Sequence, residues 1–177
     1  MRLFKYLVVL GILAIGYAYM VGQQHPVTPR VDWITVRNHS GLQVRFPAKP
    51  HYSKHTRRLP DMPAAQIHTY ELQQADELYA LLIMPDLPHS IREAAQANLQ
   101  PISQALNDTQ GLSVEHVRHL KLGKYPALEY EAVQQNGNRL WCRSVLLGNS
   151  LLSQIYGRRA GYKANSNRQR FFKSLRL

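Results

Sequence analysis

The stretch 125–157 constrains the fold of this chain more than any other, because it contains two or three long strand-like runs in succession. Asn136 and Gly137 separate the first two runs, and Gly148 and Asn149 precede the third. An Asn-Gly pair between two β-rich runs is the strongest short signal for a hairpin, since a type I′ turn requires positive φ at both central residues. The stretch therefore predicts a meander at the centre of an antiparallel sheet.

Strand-like and helical patterns alternate along the rest of the chain. Ser90 and Glu93 form a capping-box pattern, in which a hydroxyl and a carboxylate satisfy backbone N–H groups at the start of a helix. Apolar residues at helical spacing follow, although Pro101 should kink or split this helix. A last short helix is expected at 168–174, with Ser166 as its cap and with Phe171, Phe172 and Leu175 facing inward. Strand patterns occupy 32–37, 42–46, 65–73, 78–84 and 112–122. This order predicts an α+β sandwich with an antiparallel sheet.

Residues 1–24 are predicted to be a targeting segment. Arg2 and Lys5 precede 17 uncharged residues, which would span roughly 26 Å as a helix at about 1.5 Å per residue. Such a segment fits an uncleaved signal anchor whose Tyr17 and Tyr19 lie at the membrane interface. It also fits a cleaved signal peptide, since small residues occur where cleavage requires them.

Both alternatives place the remainder of the chain across the membrane, because the basic residues before the segment stay inside. The protein is therefore expected in the cell envelope, either anchored in the inner membrane and facing the periplasm or released into the periplasm. Residues 25–31 are expected to form a linker. Residues 32–177 are expected to form a single domain, which fits a total length of 177 residues.

Basic residues are concentrated in segments of the chain that lack acidic residues. The net charge is +11, and from Ala132 to the end there are nine Lys or Arg residues and no Asp or Glu. Another six basic residues and no acidic ones lie between Trp33 and Pro60. This pattern predicts a patch for an anionic partner such as a lipid, an envelope polymer or a protein, whereas export makes nucleic acid a poor candidate. The alternative is a basic surface without a specific partner. The predicted contacts are Arg158, Arg159, Lys163, Arg168, Arg170 and Lys173.

A pair of carboxylates is the best candidate for catalysis in the sequence. Glu129 and Glu131 share one face of a predicted strand and could act as an acid–base pair if the pKa of one were raised. Solvation, or pairing with Arg139 or Arg143 across the hairpin, is the expected alternative. The sequence contains no nucleophile motif, glycine-rich phosphate loop or metal-ligand motif, so neither a cofactor nor a metal is expected. The single cysteine, Cys142, excludes an internal disulfide and is expected to be buried.

Four short motifs, in this order along residues 32–177, resemble those of PsbP-like and Mog-like α/β/α domains. They are Phe46-Pro47-Ala48-Lys49-Pro50, then Gly123-Lys124-Tyr125-Pro126-Ala127-Leu128-Glu129 with Ala127 in place of the usual Gly, then Arg143 followed by Leu147-Gly148-Asn149-Ser150-Leu151-Leu152 without the usual Tyr, and finally Phe171-Phe172-Lys173-Ser174-Leu175-Arg176. The resemblance implies an α/β/α sandwich with a central antiparallel sheet of six or seven strands, in addition to the N-terminal hydrophobic helix. Known members of the family are non-enzymatic accessory or binding proteins, of photosystem II or of a nuclear transport GTPase.

The expected function is therefore that of a non-catalytic accessory or binding protein of the envelope, which presents a basic surface to an anionic partner. The alternative is an envelope hydrolase with a carboxylate or histidine site that the sequence does not reveal. A deep pocket that brings a histidine to Glu129 and Glu131 would favour the hydrolase, and a basic face would favour the binding protein.

Overall fold

The computed structural model of the protein describes residues 33–37, 41–57, 65–87, 112–162 and 165–177. The predicted targeting segment 1–24, the predicted linker 25–31 and the helix predicted from Ser90 lie outside these ranges. Within them, no helix is long and apolar enough to cross a membrane.

Nine strands and one helix make up the described part of the chain. The strands are β1 (Ile34–Arg37), β2 (Gln43–Phe46), β3 (His51–Arg57), β4 (Ala65–Gln74), β5 (Glu77–Met84), β6 (Leu112–Leu122), β7 (Tyr125–Gln134), β8 (Arg139–Leu147) and β9 (Ser150–Arg158), and the helix is α1 (Ser166–Lys173). Strands β3 to β9 form one seven-stranded sheet in the order β3-β4-β5-β9-β8-β7-β6, and β1 pairs with β2 in a separate hairpin. All pairs are antiparallel. The predicted meander, β7 to β9, therefore lies within the larger sheet, where its last strand, β9, pairs with β5.

The hairpin between β7 and β8 lies where the sequence predicts it, but its loop is longer than a type I′ turn. Val133 pairs with Arg139, and the Gly137 N–H donates to the Gln134 carbonyl over 2.8 Å. Gly137 has a φ of +81°, whereas Asn136 keeps a negative φ. This is the pattern of a three-residue loop with glycine in the left-handed region, which requires positive φ at one position and not at two.

The β1–β2 hairpin and α1 pack together on one face of the large sheet. Val44 and Phe46 of β2 are fully buried in the same cluster as Tyr79 of β5 and Phe171 of α1. The Phe171 ring lies edge-on to Phe46 and to Tyr79, with centroids 5.3 Å and 5.5 Å apart. Such edge-to-face contacts between buried aromatic rings stabilise a core beyond the area that they bury.

Within the described ranges, the predicted α/β/α sandwich is wrong, whereas the N-terminal helix lies outside them. Of the described residues, 66% lie in strands and 7% in a single helix. The physical reason on this face is that β2 alternates apolar and polar residues, so that Val44 and Phe46 point inward while Arg45 is exposed. A two-stranded hairpin thus fills much of the space that a helical layer would occupy. The opposite face of the sheet is also buried, as the fully buried Leu128 and Leu140 show.

Candidate anion-binding surface

The helix α1 carries basic side chains on its exposed face and aromatic side chains on its buried face. Phe171 and Phe172 are buried, as the sequence predicts, and Arg170 and Lys173 lie in the last turn. Basic residues at this end of a helix interact favourably with its dipole. The N-cap is Asn165, whose Oδ1 accepts from the backbone N–H two residues later over 2.9 Å, and not the predicted Ser166.

A partly buried carboxylate, that of Glu77, holds the beginning of α1 against the sheet. Glu77 of β5 accepts hydrogen bonds from the hydroxyls of Tyr79 and Tyr156, over 2.6 Å and 2.7 Å. It also accepts from the Asn165 amide over 2.6 Å and from the Asn167 amide over 3.2 Å. Burial, together with the hydrogen bonds to Glu77, raises the pKa of both tyrosines far above the usual value, so both act as neutral donors.

The end of α1 is joined to the edge of β2. The Gln43 N–H donates to the Arg176 carbonyl over 3.1 Å, and the Arg176 N–H donates to the Gln43 carbonyl over 2.9 Å. The Ser174 hydroxyl accepts from the Arg45 N–H over 3.0 Å and lies 2.6 Å from the Phe171 carbonyl, to which it donates. These bonds set the separation between the hairpin and the helix.

A groove of about 400 Å³ lies between the β1–β2 hairpin and the end of α1, and we call it the basic groove. Its lining residues are Thr35, Gln43, Arg45, Arg170, Lys173, Ser174 and Arg176. The side chains of its four cationic residues are exposed. The Arg170 guanidinium lies 4.6 Å from the centre of the Trp33 ring, in the geometry of a cation–π contact.

The acidic residues of the described ranges lie elsewhere. They occur on β4, β5, β6 and β7 or directly beside β5, and not on the hairpin or on α1. None of them lines the basic groove or forms an ion pair with its cations. The positive charge of this surface is therefore not neutralised by any side chain in the described part of the chain.

The structure brings together three of the six residues predicted to contact an anion, Arg168, Arg170 and Lys173, all on α1. Arg158, the last residue of β9, lies apart from them. Its guanidinium forms an ion pair with Asp76, and its side chain is only 11% exposed. Arg159 is half-buried beside it. Lys163 lies outside the described residues.

Sequence reasoning did not include Arg45 and Arg176 among the contacts. The alternation of β2 could have indicated that Arg45 is exposed, but not that it faces α1. Arg176 reaches the groove only because its backbone pairs with Gln43, which lies more than a hundred residues earlier in the chain. No local pattern in the sequence reports such a pairing.

The carboxylates Glu129 and Glu131 line a second cleft of about 430 Å³ on the other side of α1, together with His116. Each pairs with an arginine across the hairpin, as expected: Glu129 accepts from Arg143 Nε over 2.7 Å, and Glu131 pairs with Arg139. The remaining oxygen of Glu129 accepts from Arg118 over 2.5 Å, and that of Glu131 from Trp141 Nε1 over 3.0 Å.

The hydrogen bonds of Glu129 disfavour a role for it as a catalytic acid. Burial would raise the pKa of Glu129, but the hydrogen bonds from Arg118 and Arg143 outweigh burial and lower that pKa below its ordinary value. A general acid in a hydrolase requires a raised pKa. His116 lines the same cleft, but the lowered pKa of Glu129 does not favour the hydrolase alternative.

The single cysteine and the histidines form no reactive or metal-binding centre in the described ranges. Cys142 is buried, as predicted, and burial raises the pKa of its thiol to about 12, which disfavours the reactive thiolate. No group of three or more His, Cys, Asp and Glu side chains in the described ranges is arranged to hold a metal ion.

Comparison with known proteins gives a structural match and no sequence match. No family model matches the sequence, and no curated protein matches it. The fold is similar to the solution structure of cyanobacterial PsbP (CyanoP) from Synechocystis sp. PCC 6803, with a TM-score of 0.54 and 12% sequence identity. The match covers 89% of this chain and 99% of that one. It supports a PsbP-like fold, and at this identity it does not extend to function.

Proposed function

We propose that this protein is a non-catalytic accessory or binding protein of the cell envelope, whose basic groove contacts the anionic headgroups of a membrane. The observation that carries the proposal is the set of exposed cations on the hairpin and α1, without a neutralising carboxylate in the described ranges. The accessory role is proposed from the resemblance of the sequence motifs to PsbP-like domains, and the similar structure supports the fold that this resemblance implies.

The magnitude of the attraction is sufficient for weak, reversible binding. A basic residue close to an anionic membrane contributes about 1 kcal/mol, and physiological salt screens the attraction over about 8 Å. Four residues line the basic groove and can approach one surface together: Arg45, Arg170, Lys173 and Arg176. Their combined attraction corresponds to measurable binding that weakens as salt is added.

The predicted N-terminal segment would strengthen this contact. If residues 1–24 remain as an anchor, the predicted linker of seven residues keeps the domain within roughly 25 Å of the membrane, since an extended residue spans about 3.6 Å. A tethered domain experiences a high effective concentration of its surface partner. A weak basic surface is then enough to orient the domain.

The proposal is tested by sedimentation with vesicles, using a chain that lacks residues 1–24 so that the hydrophobic segment cannot insert. We expect binding to vesicles that contain phosphatidylglycerol and much weaker binding to phosphatidylcholine vesicles. Arg45→Glu, Arg170→Glu and Lys173→Glu together should weaken binding at least tenfold, because three contributions of about 1 kcal/mol each are lost.

A control variant matches the change in net charge. Lys54→Glu, Lys121→Glu and Lys124→Glu alter exposed residues on β3, on β6 and in the turn after β6, and none of these lines the basic groove. The control should lose clearly less affinity than the groove variant. Equal losses would mean that only net charge matters, and equal sedimentation with both kinds of vesicle at low salt would overturn the proposal.

A further inference from the structure

We propose that the basic groove is a recognition site for a single phosphate group, carried either by a soluble phosphate monoester or by a lipid headgroup. The inference builds on the proposed function, because it names the chemical group that the basic surface recognises. It also goes further, since a diffuse basic surface attracts any anion whereas a phosphate site is saturable and depends on particular side chains.

The donors that line the groove match the needs of a phosphate. Arg45, Arg170 and Arg176 supply guanidinium groups, whose planar forks bind two phosphate oxygens at once, and Lys173 adds an ammonium group. The Thr35 hydroxyl and the Gln43 amide supply neutral donors at the same rim. No carboxylate lines the groove to compete for these donors.

The backbone around the groove is held in place before any ligand arrives. Arg176 and Gln43 exchange two backbone hydrogen bonds, and the Arg45 N–H donates to the Ser174 hydroxyl. The Arg170 guanidinium is ordered against the Trp33 ring. Because the backbone of the groove and the Arg170 guanidinium are already positioned, less conformational entropy is lost there when a ligand binds.

The size of the groove also suits a small phosphorylated group. Its volume of about 400 Å³ lies in the lower part of the usual range for ligand pockets. Its cationic side chains are exposed, so a group attached to the phosphate can extend into solvent or into a membrane.

The neighbouring cleft on the other side of α1 provides a contrast within the same molecule. It is lined by Arg118, Arg143, Arg168 and Lys173, but also by Glu129 and Glu131. Glu129 accepts from Arg118 and Arg143, so those two guanidinium groups are already occupied by a carboxylate. The Arg168 guanidinium lies 5.3 Å from the centre of the Trp141 ring in that cleft and does not line the basic groove. Arg168 is therefore a matched control for Arg170 on the same helix.

The test is a calorimetric titration of the full chain in a nonionic detergent without phosphate, at constant ionic strength. The probes are inorganic phosphate, glycerol 3-phosphate and glycerophosphoglycerol, which is a lipid headgroup without its acyl chains, and chloride serves as the blank. We expect saturable binding of at least one probe. Tighter binding of the monoester would identify a soluble source, and tighter binding of glycerophosphoglycerol would identify a lipid headgroup.

Variants then locate the binding to the groove. Arg45→Gln and Arg170→Gln should each weaken binding roughly tenfold or more, because each removes a charge-assisted pair of hydrogen bonds. Arg45→Lys keeps the charge but not the fork and should give an intermediate loss, whereas Arg168→Gln should change affinity less than twofold. Circular dichroism checks that each variant folds. We expect that Arg45 and Arg170 can be replaced without unfolding the domain, because both residues are exposed.

Two results would overturn the inference. One is the absence of saturable binding of any phosphate probe, and the other is equal affinity of the Arg45→Gln and Arg168→Gln variants. The outcome is separable from that of the vesicle experiment. Vesicle binding without phosphate binding would leave a diffuse basic surface, while phosphate binding without vesicle binding would leave the groove as a site for a soluble ligand and would refute the membrane contact.

Discussion

Replacing Gly137 by alanine tests the hairpin at the centre of the predicted meander. Gly137 has a φ of +81°, and a Cβ built on it would lie 3.0 Å from the Cβ of Ala160. The loop and the segment after β9 are also joined by a hydrogen bond of 3.0 Å from the Ala160 N–H to Asn138 Oδ1. The segment that carries Ala160 is therefore held close, and the substitution meets both a backbone cost and a contact cost.

The size of the effect follows from separate contributions. A left-handed conformation costs an L-residue about 1–2 kcal/mol, and the loss of freedom in the unfolded chain returns about 0.4–1 kcal/mol. The close contact with Ala160 adds roughly 1 kcal/mol, the lower end for overpacked sites. Gly137→Ala should therefore lower the free energy of unfolding by roughly 2 kcal/mol, and Gly137→Val by more, because its side chain is β-branched.

A second glycine separates the backbone cost from the contact cost. Gly148 has a φ of +58°, and no atom lies within 4 Å of a Cβ built on it. Gly148→Ala should therefore lose only the backbone contribution, roughly 0.5–1 kcal/mol. Combining Gly137→Ala with Ala160→Gly should recover the contact contribution, which a double-mutant cycle measures.

Thermal and urea unfolding of these variants supply the measurement. A loss of 2 kcal/mol corresponds to a decrease in Tm of roughly 4–8 °C for a chain of this size. A Tm for Gly137→Ala within a degree of the wild type would refute the positive φ at this position, and with it the loop geometry. Equal effects at Gly137 and Gly148 would refute the contact with Ala160.

Two further predictions concern an ion-pair cluster and the location of the protein. Glu129→Gln should destabilise the fold at neutral pH and not at strongly acidic pH, as measured by urea unfolding. Arg118 and Arg143 lower the pKa of Glu129 in the folded state below the ordinary value of 4.5. The contribution of Glu129 to stability is therefore complete above pH 4.5 and is lost as the pH falls through the lower folded pKa. A constant difference between variant and wild type at all pH values would contradict this account. A reporter that is active only outside the cytoplasm should be active when it is fused after Gln24. An inactive fusion would refute the predicted location in the cell envelope.

The sequence predicted those elements whose signals are local. Loop chemistry located the β7–β8 hairpin, helical spacing placed Phe171 and Phe172 in the core, and cross-strand proximity suggested the pairing of Glu129 with Arg143. Each of these depends on residues that lie within one hairpin or one helix. The exact loop type was wrong, because Asn136 keeps a negative φ in the longer loop.

The features that the sequence did not predict depend on distant pairings. That β2 would leave the main sheet and pack on α1 is decided by the burial of Phe46 against Phe171, which lie far apart in the chain. Because β2 packs on α1, Arg45 of β2 lines the basic groove. Conversely, Arg158 is a basic residue in an acid-free stretch of sequence, yet the turn before β5 brings Asp76 to it. Charge along the sequence therefore gives a poor estimate of charge on the surface.

The ion pairs of the described ranges divide the arginines into two groups. Arg143 and Arg158 lie on central strands with side chains only 14% and 11% exposed, and each is paired with a carboxylate. A charge in such a position would be costly without a partner. The arginines of the basic groove have no such partner in the described ranges, and they repel one another. Concentrating them in one groove, and not spreading them over the surface, lowers stability unless an anion binds there. We predict that an anionic partner relieves this repulsion, and the charge-matched vesicle variants measure whether it does.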